Sequence, residues 1–138
     1  GAGEAEGRYR ALAQKLGVDD RVHFMGPVPN ADLPRLYRAA DAVVMPSVSE
    51  GLANAWVEAL ACGTPIVISD AGGAAELVRS LAAGRIVERT PGAIADAVQS
   101  ILANPPTSSD VAASLDGRFD WDRNGRELAA HLRRCAGR

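Results

Sequence analysis

The sequence contains little lysine, few aromatic residues and few cysteines. Of its 138 residues, one is a lysine, Lys15, 4% are aromatic and two are cysteines. Without a Gly-Lys-Ser or Gly-Lys-Thr triplet, the chain has no P-loop for nucleoside triphosphates. A receiver-like signalling module needs a lysine late in the chain and is disfavoured as well. Cys62 and Cys135 lie far apart and fit no spacing of metal ligands, which predicts reduced thiols in a cytosolic protein.

An excess of one charge and long apolar runs are also lacking. The formal net charge is −2 at pH 7, which provides no electrostatic basis for binding nucleic acid or an anionic membrane. No apolar run approaches the roughly 20 residues of a membrane-spanning helix. The N-terminus is small and acidic, unlike a signal peptide. These absences predict a cytoplasmic protein that has no nucleic-acid partner.

What the sequence does contain is a regular alternation of short apolar runs and helical patterns. Strands are predicted at 21–24, 41–45, 65–69 and 85–88. Helices are predicted at 4–16, 30–40, 53–61, 74–80, 90–104 and 118–138, with a loop at 105–110. This alternation is typical of a parallel sheet covered by helices on both faces. We therefore predict one α/β domain, residues 1–138, with a Rossmann-like, doubly wound parallel sheet.

The predicted strands also indicate where a ligand should bind. The runs 41–45 and 65–69 are apolar enough for strands that are buried on both faces. In parallel sheets of this kind, ligands bind outside the carboxyl ends of the strands. Those ends are followed here by the loops 26–30, 46–51 and 69–73, where we expect the functional residues.

Two glutamates flank the start of the helix that follows the run 41–45. Glu50 lies just before this helix, and Glu58 lies four residues after Asn54, so that the latter two side chains share one face. Gly51 lets the backbone approach a ligand closely, and the free N–H groups of the helix start can bind a phosphate. A carboxylate is a good acceptor for vicinal hydroxyls. A phosphate between two carboxylates favours a nucleotide sugar, with one carboxylate on the ribose and the other on the sugar beyond the pyrophosphate.

The same residues allow a purely structural interpretation. Ser47 and Glu50 match a capping box, in which the glutamate only satisfies a backbone donor. Glu58 can equally be a solvated charge on a helix surface, and Gly72 and Gly73 can form an ordinary tight turn. Spacing alone does not decide between these interpretations.

The segment from Pro46 to Val78 carries a more specific pattern. It reads PSVSEGLANAWVEALACGTPIVISDAGGAAELV, with Pro-Ser, Glu-Gly, a second Glu, Ala-x-Ala-Cys-Gly-Thr-Pro and a final Gly-Gly-x-x-Glu. It resembles the nucleotide-sugar-binding half of glycosyltransferase family 4, which contains retaining enzymes with the GT-B fold. The upstream sequence and the tryptophan-containing segment FDWDRNGRELAAHL resemble the same family. The resemblance therefore covers nearly the whole chain.

This resemblance implies roles for individual residues. Glu58 is expected to accept hydrogen bonds from the ribose hydroxyls, and Glu50 is expected to contact the donor sugar as the catalytic residue. The backbone of Gly51, Leu52, Ala53 and Asn54 should hold the diphosphate or the sugar. The backbone of Gly26, Pro27 and Val28 should lie at the edge of the base. The family also implies retention of anomeric configuration and no requirement for a metal or other cofactor.

Two departures from the family pattern qualify these expectations. Glu50 to Asn54 reads Glu-Gly-Leu-Ala-Asn, which is closer to a Glu-Gly-Leu-Pro-Asn variant associated with UDP-sugars than to the commoner Glu-Gly-Phe-Gly-Leu. We expect a UDP- or GDP-sugar as the donor. The family's basic phosphate clamp has no counterpart here, and the Gly1-Ala2-Gly3 opening follows no strand. We therefore interpret the chain as the C-terminal, donor-binding part of a larger enzyme, separated from its N-terminal acceptor-binding domain and inactive alone.

The remaining expectations concern the larger protein. It should transfer the sugar to a saccharide or a lipid-linked acceptor, and it should touch the inner face of a membrane at most peripherally. The alternative is a stand-alone, non-catalytic module that binds a nucleotide sugar or a partner protein. This alternative holds if the natural protein begins near Gly1, because the acceptor-binding half would then not exist.

Overall fold

The structure is a computed structural model that describes residues 3–137. It divides into two compact units, one ending at Leu33 and the other beginning at Pro34. The Gly1-Ala2 start of the predicted Gly-x-Gly opening lies outside the described residues, as does the last residue of the predicted helix 118–138.

The first unit contains helix α1, Glu6–Lys15, which confirms the helix predicted there. Ala13 is its buried residue. Gly17 follows the helix with φ +64°, a left-handed conformation that glycine adopts without steric strain, and so ends it. A short 3₁₀ helix, Asp19–Arg21, comes next.

The strand predicted at 21–24 is wrong. Arg21 closes the 3₁₀ helix, and within residues 3–137 the segment that follows pairs with no strand. Val22 has extended backbone angles, φ −110° and ψ 115°, and both it and Met25 are exposed. A strand needs a partner for its N–H and C=O groups, and a short apolar run carries no information about that partner.

The second unit is built on a three-stranded parallel sheet in the described chain. Its strands are β1, Val43–Met45, β2, Ile66–Ser69, and β3, Gly84–Val87, in the spatial order β1-β2-β3. Val43 pairs with Ile66, which pairs with Gly84 on its other side. The carboxyl ends of the strands lie at one edge, so the loops that follow them lie close together.

Helices α2 to α7 complete the described chain. They span Leu33–Ala39, Asn54–Ala61, Ala74–Leu77, Pro91–Ala103, Ser108–Ala113 and Trp121–Ala136. Thr90 caps α5, because its Oγ1 accepts a hydrogen bond from Ala93 N at 3.3 Å. Helix α4 is shorter than predicted, because the backbone leaves the helical region at Val78, with φ −88° and ψ 82°.

Strand β2 is central and buried on both faces, as predicted. Ile66 and Ile68 belong to the main core together with Trp56 of α3. Val67 packs with Ile101 of α5 in a second core. Full burial of side chains of this size stabilises the fold by about 1.5–3 kcal/mol each. The prediction of an α/β fold, with helices on both faces of a parallel sheet, is confirmed.

Strand β1 lies at one edge of the sheet. The prediction that the run 41–45 is buried on both faces is wrong. Val44 is 41% exposed, so the face of β1 that carries its side chain is not fully covered in the described chain. A continuous apolar run indicates a strand but does not distinguish a central strand from an edge strand.

Helix α6 takes the place of part of the loop predicted at 105–110. Thr107 caps it, since its Oγ1 accepts a hydrogen bond from Asp110 N at 3.1 Å. Val111 is fully buried in the main core, and this packing outweighs the weak helix propensity of the polar residues before it. Helix α7, in contrast, has no buried side chain among its described residues.

Candidate functional site

The loops that follow the strands are hydrogen-bonded to one another at the carboxyl edge of the sheet. At the end of β2, Ser69 Oγ donates to Ser47 O at 2.5 Å. In the loop after β2, Gly73 N donates to Gly51 O at 2.7 Å. These bonds hold the backbone of residues 46–51, the loop that the sequence predicts to face a ligand.

Gly72 and Arg89 add two further contacts to the same loop. Gly72 has φ +53°, and a Cβ at this position would overlap the carbonyl oxygens of Glu50 and Gly51. Arg89, which follows β3, donates from Nε to Pro46 O at 3.2 Å. The double glycine is therefore a point of close backbone approach between two loops.

Replacing Gly72 by alanine is expected to destabilise this arrangement. The added Cβ combines left-handed backbone strain with overlap against two carbonyl oxygens, so we expect a loss of about 1–3 kcal/mol in the free energy of unfolding. Urea unfolding followed by circular dichroism measures this loss. Gly125→Ala is the control, because nothing lies within 4 Å of its Cβ position in α7. Unchanged stability of Gly72→Ala would contradict the close approach.

Glu50 lies half-buried in the loop before α3. Ser47 Oγ donates to Glu50 Oε1 at 2.8 Å, whereas Ser47 N donates to Met45 O at 2.9 Å. Helix α3 begins only at Asn54, with Ala53 as its N-cap residue. The capping-box interpretation of Ser47 and Glu50 is therefore wrong, and the carboxylate belongs to a loop and not to a helix start.

Glu58 projects from α3 and is hydrogen-bonded to Tyr37 of α2. Tyr37 Oη donates to Glu58 Oε2 at 3.2 Å, and Thr64 Oγ1 in turn donates to Tyr37 O at 2.6 Å. Burial, followed by the charge of Glu58 and the hydrogen bond to it, raises the pKa of Tyr37 above its ordinary value. The phenol is thus protonated at neutral pH. Glu58 is exposed, but it is a positioned acceptor and not a freely solvated charge.

The structure brings three predicted donor-binding residues together in a groove of about 350 Å³. The groove is lined by Leu52, Asn54, Val57, Glu58, Phe119, Trp121 and Asn124. Asn54 and Glu58 share it because they lie one turn apart on α3. Glu50 and Gly51 are not among its lining residues and lie in the preceding loop.

Besides Val57 of α3, the lining residues without a predicted role in ligand binding are Phe119, Trp121 and Asn124, which come from a distant part of the chain. Phe119 precedes α7 and packs against the main core, while the other two belong to the first turn of α7. They are far from α3 in the sequence, so no local pattern connects them to Glu58. The one available signal is a tryptophan at the start of a strongly amphipathic helix.

Gly26, Pro27 and Val28 belong to the first compact unit. Gly26 has φ +64° and lines a cavity of about 380 Å³ within that unit. The other lining residues are Gly3, Ala5, Glu6, Tyr9, His23, Phe24 and Met25. The guanidinium of Arg10 lies 4.3 Å from the centre of the Phe24 ring. The expected role of these three residues beside a base stays a prediction.

Residues 3–137 contain no cluster of three or more His, Cys, Asp or Glu side chains that could hold a metal ion. Cys62 and Cys135 are free thiols, as predicted. Over the same described range, no helix combines the length and apolar character needed to cross a membrane.

Two solved structures share this fold. The sucrose-phosphate synthase of Thermosynechococcus elongatus aligns over 98% of this chain with a TM-score of 0.85 and 30% identity. The Anabaena protein HepE, solved in complex with UDP, aligns over 91% with a TM-score of 0.80 and 28% identity. The alignments cover 35% and 36% of these two proteins. The fold is that of the C-terminal part of GT-B glycosyltransferases, as predicted.

The sequence comparisons define the family. Residues 1–116 match the model of glycosyl transferases group 1, and the chain belongs to this family. It is 38% identical over 136 residues to the D-inositol 3-phosphate glycosyltransferase of Mycolicibacterium vanbaalenii and 40% identical over 126 residues to that of Frankia alni. The matches cover 91% and 88% of this chain but 30% and 31% of those relatives. The predicted family is confirmed, and the chain spans under a third of the length of these relatives.

Proposed function

We propose that this chain binds the nucleotide-sugar donor of a glycosyltransferase. The observation that carries the proposal is the placement of Glu50, the Gly51 backbone and Glu58 along one loop and helix at the carboxyl edge of a parallel sheet. Carboxylates accept hydrogen bonds from sugar hydroxyls, and backbone N–H groups bind phosphate. The Anabaena protein of the same fold was solved in complex with UDP, which supports a nucleotide as a ligand of this fold.

The diphosphate is proposed to lie at the start of α3. Thr90, Thr107 and Asp120 each cap their helices with a side-chain hydrogen bond, whereas Ala53 provides none for α3. The first N–H groups of α3 therefore lack a side-chain acceptor, and the positive end of the helix dipole favours an anion there. The backbone of residues 51–54 supplies the proposed contacts.

The two carboxylates are proposed to hold the two sugars of the donor. Tyr37 occupies one site on Glu58 Oε2, which leaves Oε1 and the remaining lone pairs for two vicinal ribose hydroxyls. Glu50 is proposed to contact the transferred sugar, with its carboxylate oriented by Ser47. Its negative charge would stabilise the positive charge that develops on the sugar in the transition state.

The full-length protein is proposed to transfer the sugar with retention of configuration to a saccharide or lipid-linked acceptor, without a metal. Membership of the family and the greater length of the relatives support this proposal. We expect the acceptor to be bound by a part of the protein outside this chain. The base is expected beside Gly26, Pro27 and Val28, and UDP or GDP is the expected nucleotide. This chain alone is expected to be inactive in transfer.

Titration with UDP, GDP and ADP, followed by backbone amide shifts, tests the donor site. We expect shifts at residues 51–54 and at Glu58, with one base preferred. Affinities near millimolar correspond to only about −4 kcal/mol, so a method that detects weak binding is required. Glu58→Ala should weaken binding about tenfold, because two ribose hydroxyls lose their charged acceptor. Asp96→Ala, an exposed acid on α5, is the control. No shifts with any of the nucleotides would contradict the proposal.

A further inference from the structure

The wall of the groove that α7 contributes exposes an aromatic ring. Trp121 is 88% exposed, the highest value among the large hydrophobic side chains of the described residues. It lines the groove together with Phe119 and Asn124. An indole ring in water forgoes the stabilisation that burial would bring. An aromatic ring beside a few convergent polar groups in a concave site is typical of ligand binding.

This wall is held in position although α7 as a whole buries no described side chain. Arg118, just before the helix, donates from Nη1 to Glu76 O at 2.6 Å and so ties the segment to α4. Phe119 packs against the main core. Asn124 Nδ2 donates to Arg118 O at 3.1 Å. Trp121 therefore lies between two anchored residues and does not depend on the rest of α7 for its position.

The chemistry of the lining matches a sugar ring. Such a ring has edges that carry hydroxyls and faces that carry C–H groups. Glu58 can accept from hydroxyls, and the amides of Asn54 and Asn124 can both donate and accept. The face of an indole carries partial negative charge, which attracts C–H groups. No lysine or arginine is among the lining residues, so the groove offers no cationic partner for a phosphate.

We infer that this groove binds a sugar ring, with Trp121 stacking on one face of the ring and Glu58 accepting from its hydroxyls. The identity of the ring rests on the proposed function. The ribose of the donor, its transferred sugar and a free saccharide all present this chemistry. Trp121 and Asn124 then contribute to specificity for the ring, and they belong to the site although they lie outside the family pattern around the two glutamates.

Tryptophan fluorescence tests this inference, because the chain has two tryptophans and Trp56 is fully buried. Quenching by acrylamide therefore reports on Trp121. UDP, UDP-glucose, methyl glucoside and uracil distinguish the ribose, the transferred sugar, a free saccharide and the base. We expect at least one ligand that contains a sugar, but not uracil, to reduce the quenching about twofold, because a bound ring covers one face of the indole.

Substitution of Trp121 provides a second test, in which the affinity for the sugar ligand should fall. Trp121→Ala is expected to weaken binding of the same ligand about three- to tenfold, as measured by amide shifts, since it removes the stacking face. Trp121→Phe should retain most of the affinity while losing the fluorescence response. Leu132→Ala is the control, because this exposed leucine lies on α7 but not in the groove.

The Gly51 amide, measured in the same samples, separates this inference from the proposed donor site. If UDP shifts the Gly51 amide but no sugar-containing ligand protects Trp121 from quenching, the inference that the groove binds a sugar ring is rejected and the proposed donor site is retained. Protection by methyl glucoside without any nucleotide shift supports the groove and contradicts the donor site. If uracil protects Trp121 as well as UDP does, the ring recognised is the base and the inference fails. If no ligand has either effect, both proposals fail.

Discussion

Glu50→Gln in the full-length protein is expected to lower kcat for sugar transfer about 10²–10³-fold. Glutamine retains the shape of the side chain and the oxygen that accepts from Ser47 Oγ, which lies 2.8 Å from Glu50 Oε1. It removes the negative charge that is proposed to face the reacting sugar. Since Glu58 and the loop backbone still hold the donor, KM for the donor should change by less than about threefold. Transfer of a radiolabelled sugar, at varied donor concentration, measures both constants.

Two variants show whether such an effect comes from the charge of Glu50. Glu88→Gln removes an exposed carboxylate just after β3 and should leave kcat unchanged. Ser47→Ala keeps the charge but removes the hydroxyl that orients it, and we expect a loss of about tenfold. A higher KM with an unchanged kcat for Glu50→Gln would mean that the residue only binds the donor, and the proposed catalytic role would be rejected.

The elements that could be predicted from the sequence are those with local signals. The run 65–69 is apolar at three of the four positions that β2 buries, Ile66, Val67 and Ile68, and Thr90 with Pro91 defines the start of α5. The strand predicted at 21–24 depended on which segments become neighbours, and the burial of Val44 depended on what covers its face of the sheet. That choice is made by contacts between distant segments, and a local apolar pattern does not encode it.

The same distinction applies to the candidate site. Asn54 and Glu58 could be placed together because helical spacing puts them on one face. Tyr37 and Trp121 could not be placed beside Glu58, because they reach it from α2 and α7 through tertiary packing. The capping-box interpretation of Glu50 failed for a related reason. A capping box requires a helix that starts near Ser47, whereas α3 begins at Asn54, close to the start predicted at 53.

The first residue of β3 shows how tertiary contacts set the choice of residue at a strand end. The strand is predicted from position 85, and glycine has a low preference for strands in general. In the structure β3 begins at Gly84, which pairs with Ile66 of the central strand and has φ +144°. A Cβ there would overlap the Ile66 carbonyl oxygen and lie 2.8 Å from the carbonyl carbon and the nitrogen of Ile66. Only a residue without a side chain lets β2 and β3 approach as they do.

Gly84→Ala is accordingly expected to cost about 4 kcal/mol or more in the free energy of unfolding, the largest loss of stability that we predict. The backbone strain at a positive φ and the overlap with backbone atoms both contribute to this loss. The backbone of a fully buried central strand cannot move aside as a flexible side chain could. Urea unfolding measures this loss of stability. If the variant is already largely unfolded in buffer, the fraction of folded protein without urea gives the free energy of unfolding instead.

Gly92→Ala provides the matched control for this substitution. Gly92 lies in the first turn of α5, with nothing within 4 Å of its Cβ position, so alanine there should be neutral or slightly stabilising. If Gly84→Ala unfolds at the same urea concentration as Gly92→Ala, the pairing of β3 with β2 at Ile66 is wrong. The carboxyl edge that carries Glu50 and Glu58 depends on that pairing, because Arg89 reaches Pro46 from the end of β3. The same stability measurement therefore also tests the framework of the proposed donor site.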